Sequence, residues 1–303
     1  MRNFNETTIT AAVLERVGQA AAPRARQISQ ALVRHLHAFV QEIEPTHAEW
    51  TSAIEFLTQT GQMCSDTRQE FILLSDTLGV SMLVDAINHR HPGNATETTV
   101  LGPFYVNAAP EHALGDDIAG GMTGEPLLVE GTVHDTAGRS ISGAIVDTWH
   151  TDGDGFYDVQ GPAGLAGLAG RARFRTDTEG RFWFRSIVPA FYPIPDDGPV
   201  GDMLKIQNRH PYRPAHVHFM AGHPGYETLI THVFLAGDQY LDSDVVFGVK
   251  DSLVRPLERQ EPGLTTRGHR VDKSMMALRY DFVLADERQP ARSSACAASR
   301  SPT

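Results

Sequence analysis

Hydrophobic residues change their spacing about a third of the way along the chain. Before residue 90 they recur mostly at intervals of three and four, which predicts amphipathic helices. Pro23 suits the first turn of a helix, and it precedes one such series: Ile28, Leu32, Leu36, Phe39, Val40 and Ile43. Thr46 with Glu49 has the capping-box pattern of a helix start. Thr67 with Glu70 repeats that pattern before a last series: Phe71, Leu74, Leu78, Met82 and Ala86.

Beyond Leu127 the period becomes two, which is typical of β-strands. Residues 128, 130, 132 and 134 alternate with 129, 131 and 133, as in a strand with one exposed face. Further short β-rich runs occupy residues 145–149, 182–184 and 229–234. Two turns of nearly the same sequence, at residues 135–139 and 177–181, each offer an aspartate to start the turn and a glycine for positive φ.

These patterns predict an all-β core, an antiparallel β-sandwich, behind an N-terminal α-helical region. We assign residues 1–100 to an N-terminal helical domain and residues 101–285 to the β-sandwich domain. Residues 286–303 are rich in Ser, Ala, Arg and Pro, and this composition predicts a disordered tail. A chain of 303 residues is long enough for two domains of about 150 residues each.

Composition narrows the class of partner. Hydrophobic residues make up 41% of the chain, enough for a sizeable core, and the formal net charge is −11. This acidic balance argues against nucleic acid and anionic membranes, which need clustered Lys and Arg, and leaves a small molecule as the expected partner. The two cysteines, Cys64 and Cys296, cannot supply a disulfide framework or a Cys-based zinc site. With no signal-like or membrane-spanning apolar run, the chain is expected to be soluble and cytoplasmic.

Three His-x-His pairs occur, and one of them lies in a setting suited to metal binding. His216 and His218 fall in a β-rich run, where side chains two residues apart share a face. His35 and His37 lie in a helical series, where the same spacing separates the rings. The third pair, at residues 89 and 91, abuts a Pro-Gly break. A single pair of this kind is more often structural than half of a metal site, so further ligands are needed.

The residues alone leave the identity of those further ligands open. Cys-pair and His-Glu-x-x-His zinc patterns are absent, whereas a 2-His-1-carboxylate iron(II) site is compatible with the many aspartates. Tyr157 follows a loop of sequence Asp-Gly-Asp-Gly-Phe, and Tyr192 lies in a corner between two prolines. Both tyrosines would also suit the interior of a sandwich as structural side chains.

Four segments resemble the intradiol ring-cleaving dioxygenases, in that family's order. They are residues 101–105 (Leu-Gly-Pro-Phe-Tyr), 147–150 (Asp-Thr-Trp-His), 185–189 (Arg-Ser-Ile-Val-Pro) and 213–219 (Arg-Pro-Ala-His-Val-His-Phe). The resemblance extends from about residue 20 to residue 285. It implies a non-haem iron(III) held by two tyrosinates and two histidines, which correspond here to Tyr157, Tyr192, His216 and His218. Tyr105 and Tyr212 match no ligand position.

The resemblance also implies a mechanism. A 1,2-dihydroxybenzene chelates the iron and displaces Tyr192 and a hydroxide, which take its two protons, and dioxygen then opens the ring between the hydroxylated carbons. Arg213 corresponds to a residue that stabilises charge developing on the ring. Related enzymes commonly carry Gln at the position of His232, which leaves the role of this histidine unassigned.

Within the family, the motif versions look closest to hydroxyquinol 1,2-dioxygenases, which convert benzene-1,2,4-triol to 3-hydroxy-cis,cis-muconate, a tautomer of maleylacetate. The implied substrate-contacting residues are Leu73, Asp76, Val100, Leu101, Gly102, Pro103, Phe104, Ile194, Pro195, Arg213 and Val246. Asp76 gives a physical reason for this choice, because a carboxylate in an apolar pocket needs a donor such as the third hydroxyl. Catechol and chlorocatechol 1,2-dioxygenases are the alternative.

The family further implies that the N-terminal helices form a dimer interface, so we expect a homodimer. In relatives a phospholipid occupies a tunnel at that interface, and it is the expected lipid partner here. The amphipathic front helices fit this assembly, since they have apolar faces to cover. The alternative from another class is a non-catalytic β-sandwich, such as a transthyretin-like binding module, which would hold no metal.

Overall fold

The structure, a computed structural model, describes residues 2–65, 68–91, 93–107, 109–160 and 168–287. Contacts between residues divide the chain into two compact units, Met1–Gln62 and Met63–Thr303. The expected division into domains of residues 1–100 and 101–285 remains a prediction. Most of the expected tail, residues 288–303 with Cys296, lies outside the described residues.

The first unit contains three helices, α1 (Ile9–Val17), α2 (Pro23–Ile43) and α3 (His47–Gln62). Helix α2 begins at Pro23, as predicted. The predicted capping box of α3 is confirmed, because Thr46 N donates to Glu49 Oε2 at 2.8 Å and Glu49 N donates to Thr46 Oγ1 at 3.2 Å. Helix α1 packs on α2, where Thr10 Oγ1 lies 3.0 Å from His37 Nδ1.

Helix α2 keeps its apolar face exposed. None of its 21 residues is buried. The apolar series predicted from the sequence is exposed by 44–63% of each residue's area: Ile28, Leu32, Leu36, Phe39, Val40 and Ile43. An apolar stripe of this length usually marks a surface that another molecule covers.

The second unit begins with α4 (Glu70–Thr77) and α5 (Val80–Asn88). The predicted apolar series from Phe71 to Ala86 is divided between these two helices, because Gly79 adopts a φ of 72° and turns the chain. Thr67 lies outside the described residues. Glu70 is fully buried, and its Oε1 accepts from Val200 N at 3.2 Å in the first turn of α6 (Pro199–Ile206).

Among the described residues of the second unit, the strands form two five-stranded sheets and two short two-stranded sheets. In chain order the strands are β1 (Pro126–Asp135), β2 (Ile145–His150), β3 (Arg171–Arg175), β4 (Arg181–Ile187), β5 (Tyr192–Pro193), β6 (Tyr212–Arg213), β7 (His216–Gly222), β8 (Leu229–Leu235), β9 (Val254–Arg255), β10 (Glu258–Gln260), β11 (Gly263–Leu264), β12 (Arg270–Val271), β13 (Met275–Arg279) and β14 (Phe282–Leu284). One large sheet has the order β10-β13-β1-β14 with β4 beside β1, and the other has the order β3-β2-β7-β8-β9.

The predicted β-sandwich is confirmed, and its core lies between the two large sheets. Phe174 on β3 stacks on Phe184 on β4 with ring centroids 5.0 Å apart, and Phe182 lies 6.1 Å from Phe219 on β7. The sheets are mixed rather than purely antiparallel, because β13 and β14 run parallel to β1, and β9 runs parallel to β8. A long stretch of chain, not a hairpin, separates each of these strands from its parallel partner, and such separation permits parallel pairing.

Strand β1 differs from its prediction of one exposed face. All residues from Leu127 to Gly131 are buried. Glu130 is fully buried because its carboxylate accepts from Thr265 Oγ1 at 2.7 Å, His269 Nδ1 at 2.6 Å and Arg279 Nε at 2.9 Å. These donors come from segments much later in the chain, so the alternation within β1 could not reveal them.

The two similar turns behave as predicted. In each, Oδ1 of the aspartate accepts two backbone N–H groups, and the arginine Nε donates to Oδ2 at 2.6 Å for Asp135 and 2.8 Å for Asp177. Gly138 and Gly180 adopt φ values of 79° and 75°.

Candidate metal centre

The His-x-His pair lies on β7, the middle strand of its sheet, where both side chains point to one face as predicted. The ring centroids of His216 and His218 are 4.7 Å apart, and their Nε2 atoms are 3.1 Å apart. Both residues are buried. His216 Nδ1 donates to Pro214 O at 2.7 Å, which leaves its Nε2 with a free lone pair.

Tyr157 reaches this pair from the loop that follows β2. Asp152 Oδ1 accepts from Asp154 N at 3.0 Å and Phe156 N at 2.9 Å, which folds the loop back on itself. Gly155 adopts a φ of 91°, and a Cβ there would lie 2.7 Å from Phe191 O, so only glycine fits. The loop delivers the Tyr157 hydroxyl to 2.9 Å from His218 Nε2.

Tyr192 reaches the same place from β5, which is paired with β6 so that Tyr192 lies opposite Arg213. Its ring centroid is 5.2 Å from that of Tyr157 and 5.7 Å from that of His216. Tyr192 is 3% exposed and Tyr157 is 1% exposed. The four side chains predicted as ligands therefore converge, although they come from three separate segments.

Further contacts hold Tyr157 in place. Asp158, the next residue, forms a buried ion pair with Arg171, whose Nε donates to Asp158 Oδ2 at 2.7 Å. Arg171 Nη1 also donates to Phe104 O at 3.0 Å. The Phe104 ring stacks on the Tyr157 ring with centroids 4.4 Å apart. One guanidinium thus links the Tyr157 loop to the segment that contains Phe104.

Two neighbours enclose the ring of His218. Trp149 on β2 stacks on it, with centroids 4.5 Å apart and planes 15° apart. Gly102 adopts a φ of 77°, and a Cβ at that position would lie 3.2 Å from His218 Cε1. A larger residue at position 102 would therefore press on the imidazole.

Burial controls the charge of these groups. Burial, reinforced by the charge of Arg213, lowers the pKa of His216 to about 3, and burial lowers the pKa of His218 well below 6.5. Burial also raises the pKa of the Tyr157 phenol well above 10, with Tyr192 adding to the effect. At neutral pH the imidazoles are neutral and can donate lone pairs, whereas the phenol ionises only when a cation compensates for the charge. This donor set suits a highly charged metal ion.

Arg213 lies beside this cluster and is fixed by one carboxylate. Its Nε and Nη2 donate to Asp244 Oδ1 and Oδ2 at 3.1 and 3.3 Å, and both side chains are buried. Although burial alone would lower the pKa of Arg213, Asp244 and Tyr192 raise it above its ordinary value. Gly248 N also donates to Asp244 Oδ2 at 2.9 Å, so the carboxylate ties the 244–248 turn to Arg213.

The predicted substrate-contacting residues fall into two groups. Leu73, Ile194 and Val246 form one buried cluster, while Leu101 and Phe104 pack against Trp149, Tyr157 and Tyr192. Val100, Gly102 and Pro195 are half-buried, and Pro103 is exposed.

Asp76 lies at the end of α4 and is 7% exposed. Burial raises the pKa of its carboxyl group, while a hydrogen bond from Ser81 and the charge of Arg213 act in the opposite direction. Asp76 is therefore a buried residue that interacts electrostatically with Arg213, as a residue of an apolar pocket would be.

His232 is the residue whose position the sequence did not reveal. It lies on β8 directly opposite His218, and the two ring centroids are 4.1 Å apart. Among the described residues, His216, His218 and His232 form the one group of three or more potential His, Cys, Asp or Glu metal ligands, with ligand atoms within 4.8 Å of one another. The sequence signal for His232 is its position in the β-rich run 229–234, because pairing of that run with the His-x-His strand places His232 beside His218.

The competing candidates lie elsewhere. His37 contacts Thr10, and His89 Nδ1 lies 2.8 Å from Asp85 Oδ1. The Tyr105 hydroxyl donates to Asp147 at 3.4 Å, and Tyr212 stacks on Tyr240.

A cavity of about 480 Å³ lies next to Arg213's partner Asp244, and it includes none of the four predicted ligands. It is lined by Asn208, Arg209, His210, Leu241, Asp242, Ser243, Asp244, Val245, Phe247 and Val249.

Within the described part of the chain, no helix is both long and apolar enough to cross a membrane.

Two family models match the chain. One, described as Dioxygenase, matches residues 100–286, and the other, described as Catechol dioxygenase N terminus, matches residues 22–96.

Similar proteins agree with these matches. A 6-chlorohydroxyquinol 1,2-dioxygenase of Cupriavidus pinatubonensis is 51% identical over 94% of this chain and 99% of that protein. A hydroxyquinol 1,2-dioxygenase of Nocardioides simplex is 49% identical over 92% of this chain and 95% of its own length. The structure of hydroxyquinol 1,2-dioxygenase from Pseudomonas putida DLL-E4 superposes with a TM-score of 0.88 at 48% identity, covering 93% of this chain and 99% of that one. The chain belongs to the intradiol ring-cleaving dioxygenase family.

Proposed function

We propose that this chain cleaves hydroxyquinol (benzene-1,2,4-triol) with dioxygen to 3-hydroxy-cis,cis-muconate, a tautomer of maleylacetate. Tyr157, Tyr192, His216 and His218 would hold an iron(III) ion. The proposal rests on one observation in a buried site. His218 Nε2 lies 2.9 Å from the Tyr157 hydroxyl and 3.1 Å from His216 Nε2. Relatives about half identical to this chain are named hydroxyquinol 1,2-dioxygenases.

The donor types fit a ferric ion. Phenolate oxygen is a hard ligand, and two phenolates would offset most of the charge of a trivalent cation. Burial disfavours the ionised Tyr157 in the absence of such a cation. Bound iron(III) would supply the redox-active centre that brings the diol oxygens and dioxygen together.

The chain's own residues would move protons and stabilise charge. Tyr192 Oη would accept one phenolic proton from the substrate when this side chain leaves the metal. Arg213, kept cationic beside Asp244, would stabilise negative charge that develops on the ring. Leu73, Ile194 and Val246, which form a buried apolar cluster, would exclude water from the substrate.

Asp76 would determine the preference for a third hydroxyl group. Its carboxylate is buried near apolar residues, and the hydroxyl at the 4-position of the triol would give it a donor. Catechol has no such donor and would leave the carboxylate less well compensated.

The exposed apolar face of α2 would pair with a second copy of the chain in a homodimer, with a phospholipid at the interface. Light scattering coupled to size-exclusion chromatography would test the dimer, and mass spectrometry of an organic extract would test the lipid. A monomer at micromolar concentration would contradict this assembly.

The first experiment is oxygen uptake by iron-loaded protein on hydroxyquinol, catechol and 4-chlorocatechol, corrected for autoxidation. Preference for the triol with formation of maleylacetate is expected. Preference for catechol would keep the metal site but change the substrate. Asp76→Ala should lower activity on hydroxyquinol more than on catechol, and equal losses would remove the role given to Asp76.

A second experiment tests the ligands by colour. Ferric tyrosinate absorbs visible light, so the loaded protein should be red-brown, and Tyr157→Phe should remove most of that absorption. Tyr212→Phe is the matched control, because the Tyr212 ring stacks on Tyr240 and Tyr212 matches no ligand position. Equal absorption in all three proteins would contradict the ligand assignment.

A further inference from the structure

His232 stands out because it is buried beside two potential metal ligands and has a nitrogen without a partner. It is 0% exposed, and its Nε2 makes no hydrogen bond. A buried polar atom in this state is costly unless something binds it. The same imidazole is in ring contact with both His216 and His218, at centroid distances of 4.7 and 4.1 Å.

The opposite side of the His232 ring is held by Thr99. Thr99 Oγ1 lies 2.9 Å from His232 Nδ1. The segment that contains Thr99 runs along β8, where Thr99 N donates to Ile230 O at 2.9 Å, so the hydroxyl is well positioned. If Nδ1–H donates to this hydroxyl, the lone pair is on Nε2. His216 shows the same arrangement, with Nδ1 bound to a backbone oxygen and Nε2 free, and metal-ligating histidines usually have it.

We infer that His232 provides a third imidazole that, together with His216 and His218, binds a divalent cation such as Zn²⁺. This site would use three nitrogen ligands and no tyrosine. It shares two histidines with the ferric site, so the two cations would exclude each other. The inference does not depend on the substrate proposed above.

The distances suit such an ion. Two nitrogens bound to one zinc ion at about 2.0–2.1 Å in tetrahedral geometry are roughly 3.3 Å apart. The Nε2 atoms of His216 and His218 are 3.1 Å apart, and the three ligand atoms of the group lie within 4.8 Å of one another.

The residue types also separate the two classes of cation. Neutral imidazole is a borderline ligand that Zn²⁺ and Cu²⁺ bind well, whereas phenolate is a hard ligand suited to a trivalent ion. The four-residue tyrosine and histidine set would therefore favour iron(III). The three-histidine set would favour a divalent ion when iron is scarce, and bound zinc would leave the protein colourless and unable to take up iron.

The test is Zn²⁺ affinity of the metal-free protein, measured by competition with a chromophoric chelator, alongside visible absorption after ferric loading. His232→Gln should weaken Zn²⁺ binding by more than about 100-fold, because it removes a ligand, yet keep the ferric colour. Tyr157→Phe should do the reverse, losing the colour and keeping the Zn²⁺ affinity. His89→Gln, a change at an exposed histidine, controls for binding elsewhere on the surface.

Thr99 provides a second, milder test. Thr99→Val removes the hydroxyl that holds His232 and should weaken Zn²⁺ binding by about 10–100-fold, and Thr99→Ser should restore it. Circular dichroism melting would verify that each variant is folded. Unchanged Zn²⁺ affinity in His232→Gln, or equal Zn²⁺ losses in His232→Gln and Tyr157→Phe, would overturn the inference. Absence of ferric colour in the unmodified chain would contradict the proposed iron site alone.

Discussion

Helix α2 and strand β7 both carry hydrophobic residues but differ in whether those residues are covered. Helix α2 buries none of its 21 residues, whereas β7 buries five of its seven residues. The helix pattern was the clearest in the sequence, yet it identified an element without identifying its partner. The strand pattern was weaker, yet most of the strand is buried within the sandwich. Periodicity therefore predicts an element more reliably than it predicts burial.

The front helices and the β-sandwich also differ in whether their charged side chains are exposed or buried. Residues of the front helices form exposed contacts, such as Thr46 with Glu49. The sandwich buries whole ion pairs, including Arg171 with Asp158 and Arg213 with Asp244. A buried pair is costly to break, because removing one partner leaves the other charge without water or a counter-ion.

The largest expected effect is at the Arg213–Asp244 pair. Asp244→Asn should lower the free energy of unfolding by about 3–5 kcal/mol, because the Arg213 charge stays buried without its carboxylate. Urea denaturation of the metal-free chain measures this. Asp202→Asn is the control, since it breaks an exposed pair with Lys205 and should cost less than about 1 kcal/mol. Similar losses in both variants would show that burial does not distinguish the two pairs.

Truncation of a buried apolar side chain should lower the free energy of unfolding by a similar amount, whereas truncation of an exposed one should not. Phe184→Ala removes a fully buried ring stacked on Phe174 and should cost about 3–5 kcal/mol. Leu36→Ala, on the exposed face of α2, should cost less than about 0.5 kcal/mol in a dilute, dissociated sample. Thermal or urea unfolding at several protein concentrations measures both. A large loss for Leu36→Ala at high dilution would mean that a single chain already covers this face.

Acid should affect the sandwich before it affects the front helices. His150 is buried, its Nδ1 donates to Thr151 O at 2.7 Å and its Nε2 accepts from Ser186 at 2.7 Å. Burial lowers its pKa from 6.5 to about 4. The folded state thus binds this proton less readily than the unfolded state, so the stability is complete above pH 6.5 and is lost as the pH falls towards 4.

The loss from this one residue is roughly 3 kcal/mol. Unfolding midpoints at several pH values between 7.5 and 4 should fall for the metal-free chain, and His150→Gln should flatten part of that slope. A slope that is the same in both proteins would assign the acid sensitivity to other buried histidines.

The smallest expected effect is at the start of α3. Thr46→Ala removes the capping hydroxyl that accepts from Glu49 N and should cost about 1 kcal/mol. Thr46→Ser keeps the hydroxyl and should cost little. Far-ultraviolet circular dichroism during unfolding measures the difference, and an alanine variant as stable as the serine variant would show that this helix end frays already.

Features that depend on near neighbours could be predicted from the sequence. The capping box of Thr46 and Glu49, the two aspartate turns, and the shared face of His216 and His218 were all found at the expected positions. Each depends on groups no more than four residues apart. The break at Gly79 is the exception at short range, because a helix pattern tolerates a glycine and its positive φ is decided by what packs there.

Features that depend on distant partners could not be predicted in this way. The alternation in β1 predicted an exposed side chain for Glu130. Its partners, Thr265, His269 and Arg279, follow well over a hundred residues later, so the local pattern could not reveal them. Tyr157 and Tyr192 were identified through the family resemblance, since no spacing links them to His218, 61 residues beyond Tyr157. His232 had no signal of its own until the pairing of β7 with β8 brought it opposite His218.

The sequence by itself determined the division into a helical front and a strand-rich body, the two aspartate turns, and which two histidines share a face. These properties arise from backbone hydrogen bonding and side-chain alternation over a few residues. Only the tertiary structure decided that the loop after β2, the short strand β5 and the paired strands β7 and β8 bring two phenols and three imidazoles together. That convergence depends on packing between segments far apart in the chain, which no local periodicity encodes.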